Sequence, residues 1–278
     1  MTKAKICYIS PLSIHSYRWM EAFSKRNYEV HLITDSHAWI APKIKFASVY
    51  TLPSMNRANL AQRLVPNTLK IAKLLRTLDP DLVHLHVQHH YTLPIILSRH
   101  QYILTSWGAE VLSLPHADIF TRSTAKMTGM KARRITVDAH CLKDIWIRIG
   151  IPEDKIEVIP FGVDLSIFNP DVDGLDVRRR LRIKENDTVI ISTRPLFNDH
   201  YNVECLIHSI PLVLEKCGNV KFIIKGVGPL KNQLRNLVDE SGVQKYVRFV
   251  GLVPHPEVAQ YLTASDIYVS TPFIDSTS

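Results

Sequence analysis

The chain has 278 residues, 46% of them hydrophobic and 22% charged. That is enough apolar material for a sizeable core in one large or two ordinary domains, and it excludes a disordered or collagen-like chain. The formal charge of +8 favours anionic partners such as phosphates, nucleic acid or an acidic membrane surface, with a merely basic surface as the plain alternative.

The opening run "KICYIS" is a short apolar strand that stops at Pro11. It is too short for a secretion signal, and no later segment approaches membrane-spanning length. Cys7, Cys141, Cys205 and Cys217 are scattered without ligand spacing and read as the reduced thiols of a cytoplasmic protein. A helical stretch over 16–27 leads to the strand "EVHLIT". In "NTLKIAKLLRTLDPD", Ile71, Leu74, Leu75 and Leu78 fall at i, i+3, i+4 and i+7, one face of a helix that Asp79-Pro80 ends. "LVHLHV" is a strand, and a further strand ends at "SWGAE". A helix carrying Leu142, Ile145, Trp146 and Ile149 stops at Gly150, and "KIEVIP" follows as a strand.

A second series then begins. "TVIIST" is a strand; the next helix carries Leu206, Ile207, Ile210 and Leu214, with a kink expected at Pro211. After the strand "VKFIIK", Pro229 is expected at the first position of a helix bearing Leu230, Leu234, Leu237 and Val238. "YVRFVG" is a strand, a helix runs through Val258, Tyr261 and Leu262, and 266–271 reads as a buried last strand. Near-continuous apolar strands alternating with helices mean parallel sheets covered on both faces. The polar stretch "FNPDVDGLDVRRRLRIKEND" separates the series. The expected fold is therefore α/β, with two doubly wound Rossmann-like domains over 1–168 and 169–278.

Ligands of open parallel sheets bind beyond the carboxyl ends of the strands, where strand order reverses. If the second domain has the order 3-2-1-4, the reversal lies between the strands ending at Arg194 and at Thr271. Arg194 and Asp275 then share one crevice, a planar cation suited to a diphosphate and a carboxylate suited to sugar hydroxyls. The alternative is that Arg194 simply pairs with a local acid. Other signals are weaker. No dinucleotide fingerprint follows the first strand, "GVGP" holds only G-x-G, and no Walker loop, nucleophile elbow or zinc motif occurs. In "HLHVQHH", His84 and His86 point to one face of a strand without a nearby acid or cysteine to complete a metal set, so packed and rim histidines are expected. Basic residues interleaved with aromatic platforms are missing, which argues against nucleic acid. The clusters Lys131/Arg133/Arg134 and Arg178/Arg179/Arg180/Arg182 suit a membrane surface or simply a solvated face.

"GIPEDKIEVIPFGVDLSIFNP" (150–170) resembles the domain-joining signature of retaining glycosyltransferase family 4, with the GT-B fold. "PDLVHLHV", "LTSWGAEVL", "FIIKGVGPL" and "FVGLVPHPEVAQYLTASDIYVSTP" are similar to the family in order and spacing, so the resemblance covers essentially the whole chain. It implies transfer of a sugar from a nucleotide-diphosphate donor to a hydroxyl acceptor with retention, without metal or other cofactor. The acceptor class it implies is an envelope polysaccharide, a glycolipid or a small metabolite. A lipid-linked acceptor would suit a basic protein resting peripherally on the inner face of a membrane.

The resemblance also implies roles by position. Arg194 matches the phosphate-binding arginine, whereas the partner lysine is replaced by Tyr201, with His200 beside it. Gly226, Gly228, Val250, Gly251 and Leu252 match regions lining the nucleotide pocket. "SIHSYR" replaces a glycine-rich first loop, making His15, Ser16 and Arg18 candidates for donor or acceptor contact. Trp107 stands where many members have a histidine, followed by Gly108 and Glu110. Asp275 falls on the first acid of the family's E-x7-E pair; the second would lie beyond Ser278, so a second domain that is incomplete and weakly active is expected. Two other functions stay open: a non-catalytic nucleotide-sugar-binding module of the same fold, and a sugar-nucleotide epimerase.

Overall fold

The computed structural model describes residues 3–35, 44–53, 60–86, 92–97 and 100–276. The chain divides into two compact units, Met1–Phe161 and Gly162–Ser276. The rim histidines His89 and His90 lie outside the described residues.

The first unit is built on a parallel seven-stranded sheet among the described residues. In chain order its elements are β1 (Lys5–Ile9), α1 (Ile14–Lys25), β2 (Glu29–Thr34), β3 (Ser48–Thr51), α2 (Leu60–Leu78), β4 (Leu82–His86), α3 (Thr92–Leu97), β5 (Tyr102–Ser106), α4 (Ala109–Leu112), α5 (Ile119–Lys131), β6 (Arg134–Val137), α6 (His140–Arg148) and β7 (Ile156–Val158). The strand order is β3-β2-β1-β4-β5-β6-β7, which reverses beside β1. Alternation along β1 explains the double coverage: Ile6 and Tyr8 join Met20 of α1 and Leu32 on one face, while Cys7 and Ile9 join Ile71, Leu75 and Trp146 on the other. Burial pushes the Cys7 thiol up to about 12.

The second unit continues with α7 (Leu175–Arg180), β8 (Thr188–Ser192), α8 (Val203–Leu214), β9 (Val220–Lys225), α9 (Lys231–Glu240), β10 (Val247–Gly251), α10 (Val258–Thr263) and β11 (Ile267–Tyr268). Its sheet has the order β10-β9-β8-β11, the arrangement that sets the strand ends at Arg194 and Thr271 side by side. Phe222 and Ile224 of β9 face α8 and α9, and Ile223 faces α7 and α10.

Several sequence expectations need correction. The strands β3 and β6 were not read; β3 is a mostly exposed edge strand and β6 is only four residues long. The last strand is two residues long, and at the edge of its sheet Ile267 and Tyr268 are exposed rather than buried. Pro229 precedes the helix: Leu230 is the N-cap of α9, and the turn before it is fixed by Lys231 N–H donating to Gly228 O. Pro211 lies inside α8, where the sequence placed it.

Within the basic run after the junction, Arg178 turns inward instead of facing water. Its guanidinium donates to the carbonyls of Lys184, Glu185, Asp187 and Ala264 and pairs with Asp266 at 3.0 Å. Asp266 in turn accepts the Val189 N–H at the start of β8. One side chain thus staples α7, the β8 entry and the β11 entry together.

Candidate functional site

The turns after β8, β9 and β10 are laced by main-chain bonds, which is why Arg194 has a fixed position. Leu196 N–H donates to Val227 O and Leu196 O accepts from Leu230 N–H, both at 3.1 Å, while Gly226 N–H donates to Gly251 O at 3.0 Å. The approach is close enough to demand glycine: a Cβ on Gly226 would stand 2.3 Å from Arg194 O, and one on Gly228 would stand 2.0 Å from Leu196 O. Gly251 itself adopts φ +71, the left-handed region. Val250 and Leu252 flank it, with Leu252 exposed.

The segment after β11 is tied to the same loop. Phe273 N–H donates to His200 O, and the Thr271 hydroxyl donates to Asn202 O. Arg194 and Asp275 therefore meet: Arg194 Nη2 lies 2.7 Å from Asp275 Oδ2, and Arg194 Nε donates to Ser270 Oγ at 2.7 Å. The carboxylate contact is a charge contact rather than an aligned hydrogen bond. The two side chains are 13% and 25% exposed, so the pair is sheltered yet open to a ligand. Tyr201 presents its ring 6.0 Å from the Arg194 guanidinium carbon, a cation–π contact. In place of a second cation the loop therefore carries an aromatic face.

Two residues of this site escaped the sequence reading. Ser270 orients the guanidinium, and its only signal was a hydroxyl at a strand end. Lys225 closes β9 beside Gly226, and burial lowers its pKa. A cavity of about 510 Å³ lies against the same loop, lined by residues including Pro195, Leu196, Asn202 and Phe273; Arg194 and Asp275 are not in its wall.

In the first unit the predicted residues separate into two kinds. His15 stacks on Phe161 at 4.3 Å between ring centroids and lies 5.5 Å from Trp107, whose ring is 5.6 Å from that of His86. These rings form an aromatic cluster at the carboxyl ends of β1, β4, β5 and β7; Phe161, just past β7, was passed over although it lies inside "IPFGVD". Arg18 lies on the next turn of α1, partly buried.

Ser16, by contrast, is fully buried. It forms a capping box with Ser13 and donates to Pro11 O, so its hydroxyl builds the start of α1 rather than a pocket wall. Gly108 takes φ 142 ahead of α4, and Glu110 accepts the Trp107 N–H at 2.6 Å. Burial raises the Glu110 pKa, with Asp138 adding to it, against the main-chain N–H groups of 107, 108 and 110 that pull it down. Glu110 thus holds the Trp107 turn in place. His84 is packed in the core, with Nε2 2.6 Å from Thr105 Oγ1.

Comparison with known proteins agrees with this architecture. The profile described as "Glycosyltransferase Family 4" matches residues 12–167, and "Glycosyl transferases group 1" matches residues 175–273. A phosphatidylinositol N-acetylglucosaminyltransferase GPI3 subunit of Saccharomyces cerevisiae is 32% identical over 138 residues, 49% of this chain and 30% of the relative. A GDP-mannose-dependent alpha-(1-6)-phosphatidylinositol monomannoside mannosyltransferase of Mycobacterium tuberculosis is 28% identical over 42% of this chain and 30% of its own. The chain thus matches less than a third of the length of these curated relatives. Among solved structures, sucrose-phosphate synthase from Thermosynechococcus elongatus superposes with a TM-score of 0.81 at 15% identity, covering 99% of this chain and 77% of that one. Anabaena Alr3699/HepE in complex with UDP-glucose gives 0.75 at 14% identity, covering 96% and 74%. The fold is GT-B. With one profile spanning more than half of its length and the second covering most of the other unit, the chain belongs to Glycosyltransferase Family 4.

Proposed function

We propose that the protein transfers a sugar from a nucleotide-diphosphate donor to a hydroxyl acceptor, with retention at the anomeric carbon and with protein cations in place of a metal. The observation that carries this reading is Arg194, locked by Ser270 and Asp275 at the strand-order reversal of the second unit. Charge grows on the leaving diphosphate as the glycosidic bond breaks, and a fixed guanidinium stabilises that charge more than the ground state. Asp275 holds the guanidinium in the free protein; with donor bound, the diphosphate competes for Arg194 and leaves the carboxylate available to sugar hydroxyls. The His15–Phe161 stack, with the Trp107 ring tilted 56° from His15, offers aromatic edges and faces for a sugar ring of the acceptor. Relatives named for phosphatidylinositol and its mannoside make a glycolipid the favoured acceptor class, and a basic protein working from the cytoplasmic side on a membrane-held acceptor fits that class.

The test is release of nucleoside diphosphate from UDP-glucose and GDP-mannose in the presence of phosphatidylinositol. Arg194→Ala should cut turnover by roughly ten- to a thousand-fold; unchanged kinetics would remove Arg194 from the mechanism. The aromatic residue at Tyr201, where a second cation would strengthen catalysis, favours one other reading, a nucleotide-sugar-binding module without turnover. Donor-induced thermal stabilisation with no diphosphate release under any acceptor would select it. Conversion of the donor sugar to an epimer without acceptor would instead select an epimerase.

A further inference from the structure

The cavity of about 510 Å³ behind the Arg194 loop is not used by the transfer site. Its volume falls within the roughly 300–1,000 Å³ of small-molecule sites. One wall is loop, residues 195–202 with Phe273, and the other is the amino-terminal halves of α8 and α9. Buried Leu196, Val203 and Leu234 line it with Leu230, and Phe273, 70% exposed, stands at its rim. The walls are fixed by bonds within the fold: Leu230 N–H donates to Leu196 O, Phe273 N–H to His200 O, and the Thr271 hydroxyl to Asn202 O. A preformed cleft of this kind spends little free energy on ordering when a ligand enters.

Charge separates the cleft from a phosphate site. The chain carries 34 Lys and Arg against 26 Asp and Glu, yet none of the residues lining the cleft is Lys or Arg, and Arg194 is not in its wall. Its ionisable oxygen acceptors are the carboxylates of Asp199 and Glu204, joined by one imidazole, His208, whose Nε2 lies 3.4 Å from Glu204 Oε1. A phosphate or a nucleotide would meet repulsion there. A purely apolar ligand would cover the carboxylates and the amides of Asn198 and Gln233 without giving them partners. An uncharged molecule with hydroxyls along its edge and a C–H face satisfies both halves. Its hydroxyls donate to Asp199 and Glu204, the amides donate and accept, and the C–H face lies on Phe273 and the leucines.

We propose that this cleft is a second binding site, for an uncharged sugar, set on the back of the Arg194 loop. Sugar binding there needs no turnover and no donor. Cys205 makes the test direct, because it lines the cleft and is exposed, as are Cys141 and Cys217 elsewhere. Alkylation of the full chain by iodoacetamide is followed by mass spectrometry with glucose, mannose or N-acetylglucosamine present, and Cys141 and Cys217 serve as internal references. A ligand of about a dozen heavy atoms at the efficiency usual for larger ligands has a Kd of about 1–10 mM. At about 100 mM at least one of these sugars should therefore slow Cys205 about tenfold or more and leave the other two thiols unchanged. Methyl α-mannoside beside mannose tells the source: a free sugar protects only as mannose, the end of a glycan protects in both forms.

Gln233→Trp places an indole in the cleft from an exposed position and should remove the protection. Should that variant fail to fold, Asp199→Ala with Glu204→Ala should weaken protection about tenfold or more, the factor for one hydrogen bond to a charged group. Arg194→Ala should leave protection intact, and inorganic phosphate should give none. No slowing by any of the three sugars, equal slowing of all three thiols, protection that survives Gln233→Trp, or protection by phosphate would overturn the proposal. Loss of protection in Arg194→Ala would overturn it too, since the sugar would then sit at the transfer site. Protection of Cys205 without any donor-induced thermal shift would uphold this site and count against the transferase reading instead.

Discussion

Gly228→Ala should damage the site without touching any charged group. The added Cβ would stand 2.0 Å from Leu196 O, 2.1 Å from Leu196 C and 2.6 Å from Phe197 N, all main-chain atoms, whereas real Cβ contacts do not fall under 3.0 Å. The loop must therefore retreat by about 1 Å or more, and the bonds from Leu196 to Val227 and Leu230 stretch with it. Overpacking of this kind costs about 1–3 kcal/mol of stability. Arg194 is two residues away on the same loop, and a misplacement of about 1 Å costs on the order of 100-fold in turnover. Gly242→Ala is the control. It forces an alanine into φ +68 with nothing within 4 Å, so it should cost about 1 kcal/mol while leaving donor binding unchanged. Melting curves with and without nucleotide-diphosphate sugar read both quantities. If Gly228→Ala melts like wild type and keeps the full donor-induced shift, the turn does not position Arg194 and the reasoning fails.

Ser270→Ala removes the acceptor from Arg194 Nε and should lower kcat about tenfold, the factor for one hydrogen bond to a charged group, with Ser270→Thr restoring most of it. Such a rescue would mark Ser270 as a positioning residue; equal loss in both variants would not. Acid should destabilise the first unit early. Burial holds His84 near 3 and, with His84 and His15 nearby, holds His86 well below 6.5. Below about pH 6.5 the unfolded chain binds protons that the native state refuses, so stability is lost as pH falls toward 3, by about 1.4 kcal/mol per pH unit for each histidine. His86→Phe should flatten the fall of melting temperature between about pH 7 and 5; an unchanged slope would mean these histidines protonate in place. Arg178→Met should cost about 2–4 kcal/mol, because it strips the donor from four carbonyls and leaves Asp266 without its cation; urea unfolding with an unchanged midpoint would contradict the staple.

The alternation of "TVIIST", "VKFIIK" and "YVRFVG" with helical segments was enough to read the second unit's sheet and to place Arg194 opposite Asp275. Burial on both faces of a parallel sheet forces such runs to be continuously apolar, so they stand out. The elements that escaped give less signal. β6 is buried but only four residues long, and "SVYT" of β3 lies mostly in solvent at an edge. Helix α5 hid because its inward residues are small and its outward ones apolar, the reverse of the pattern that periodicity detects. Site residues divided on the same principle. Main-chain constraints such as Gly226 and Gly228 announce themselves through residue type, but a hydroxyl in sequence does not say whether it faces ligand or caps a helix. Ser16 and Ser270 are the two outcomes of that ambiguity.

The Arg178 staple has a consequence for how the protein is made. Its partners Ala264 and Asp266 lie 86 and 88 residues downstream, so α7, the first helix past the junction, cannot finish docking while the ribosome is still short of them. At about 5–20 residues per second that delay is on the order of 4–17 s. During it the first unit, whose own sheet closes with β7, can already fold as a body, while the three arginines of α7 stay in water. The boundary between the two units is therefore also a step in the order of folding during synthesis, completed when residues 264–266 arrive to take up the waiting guanidinium.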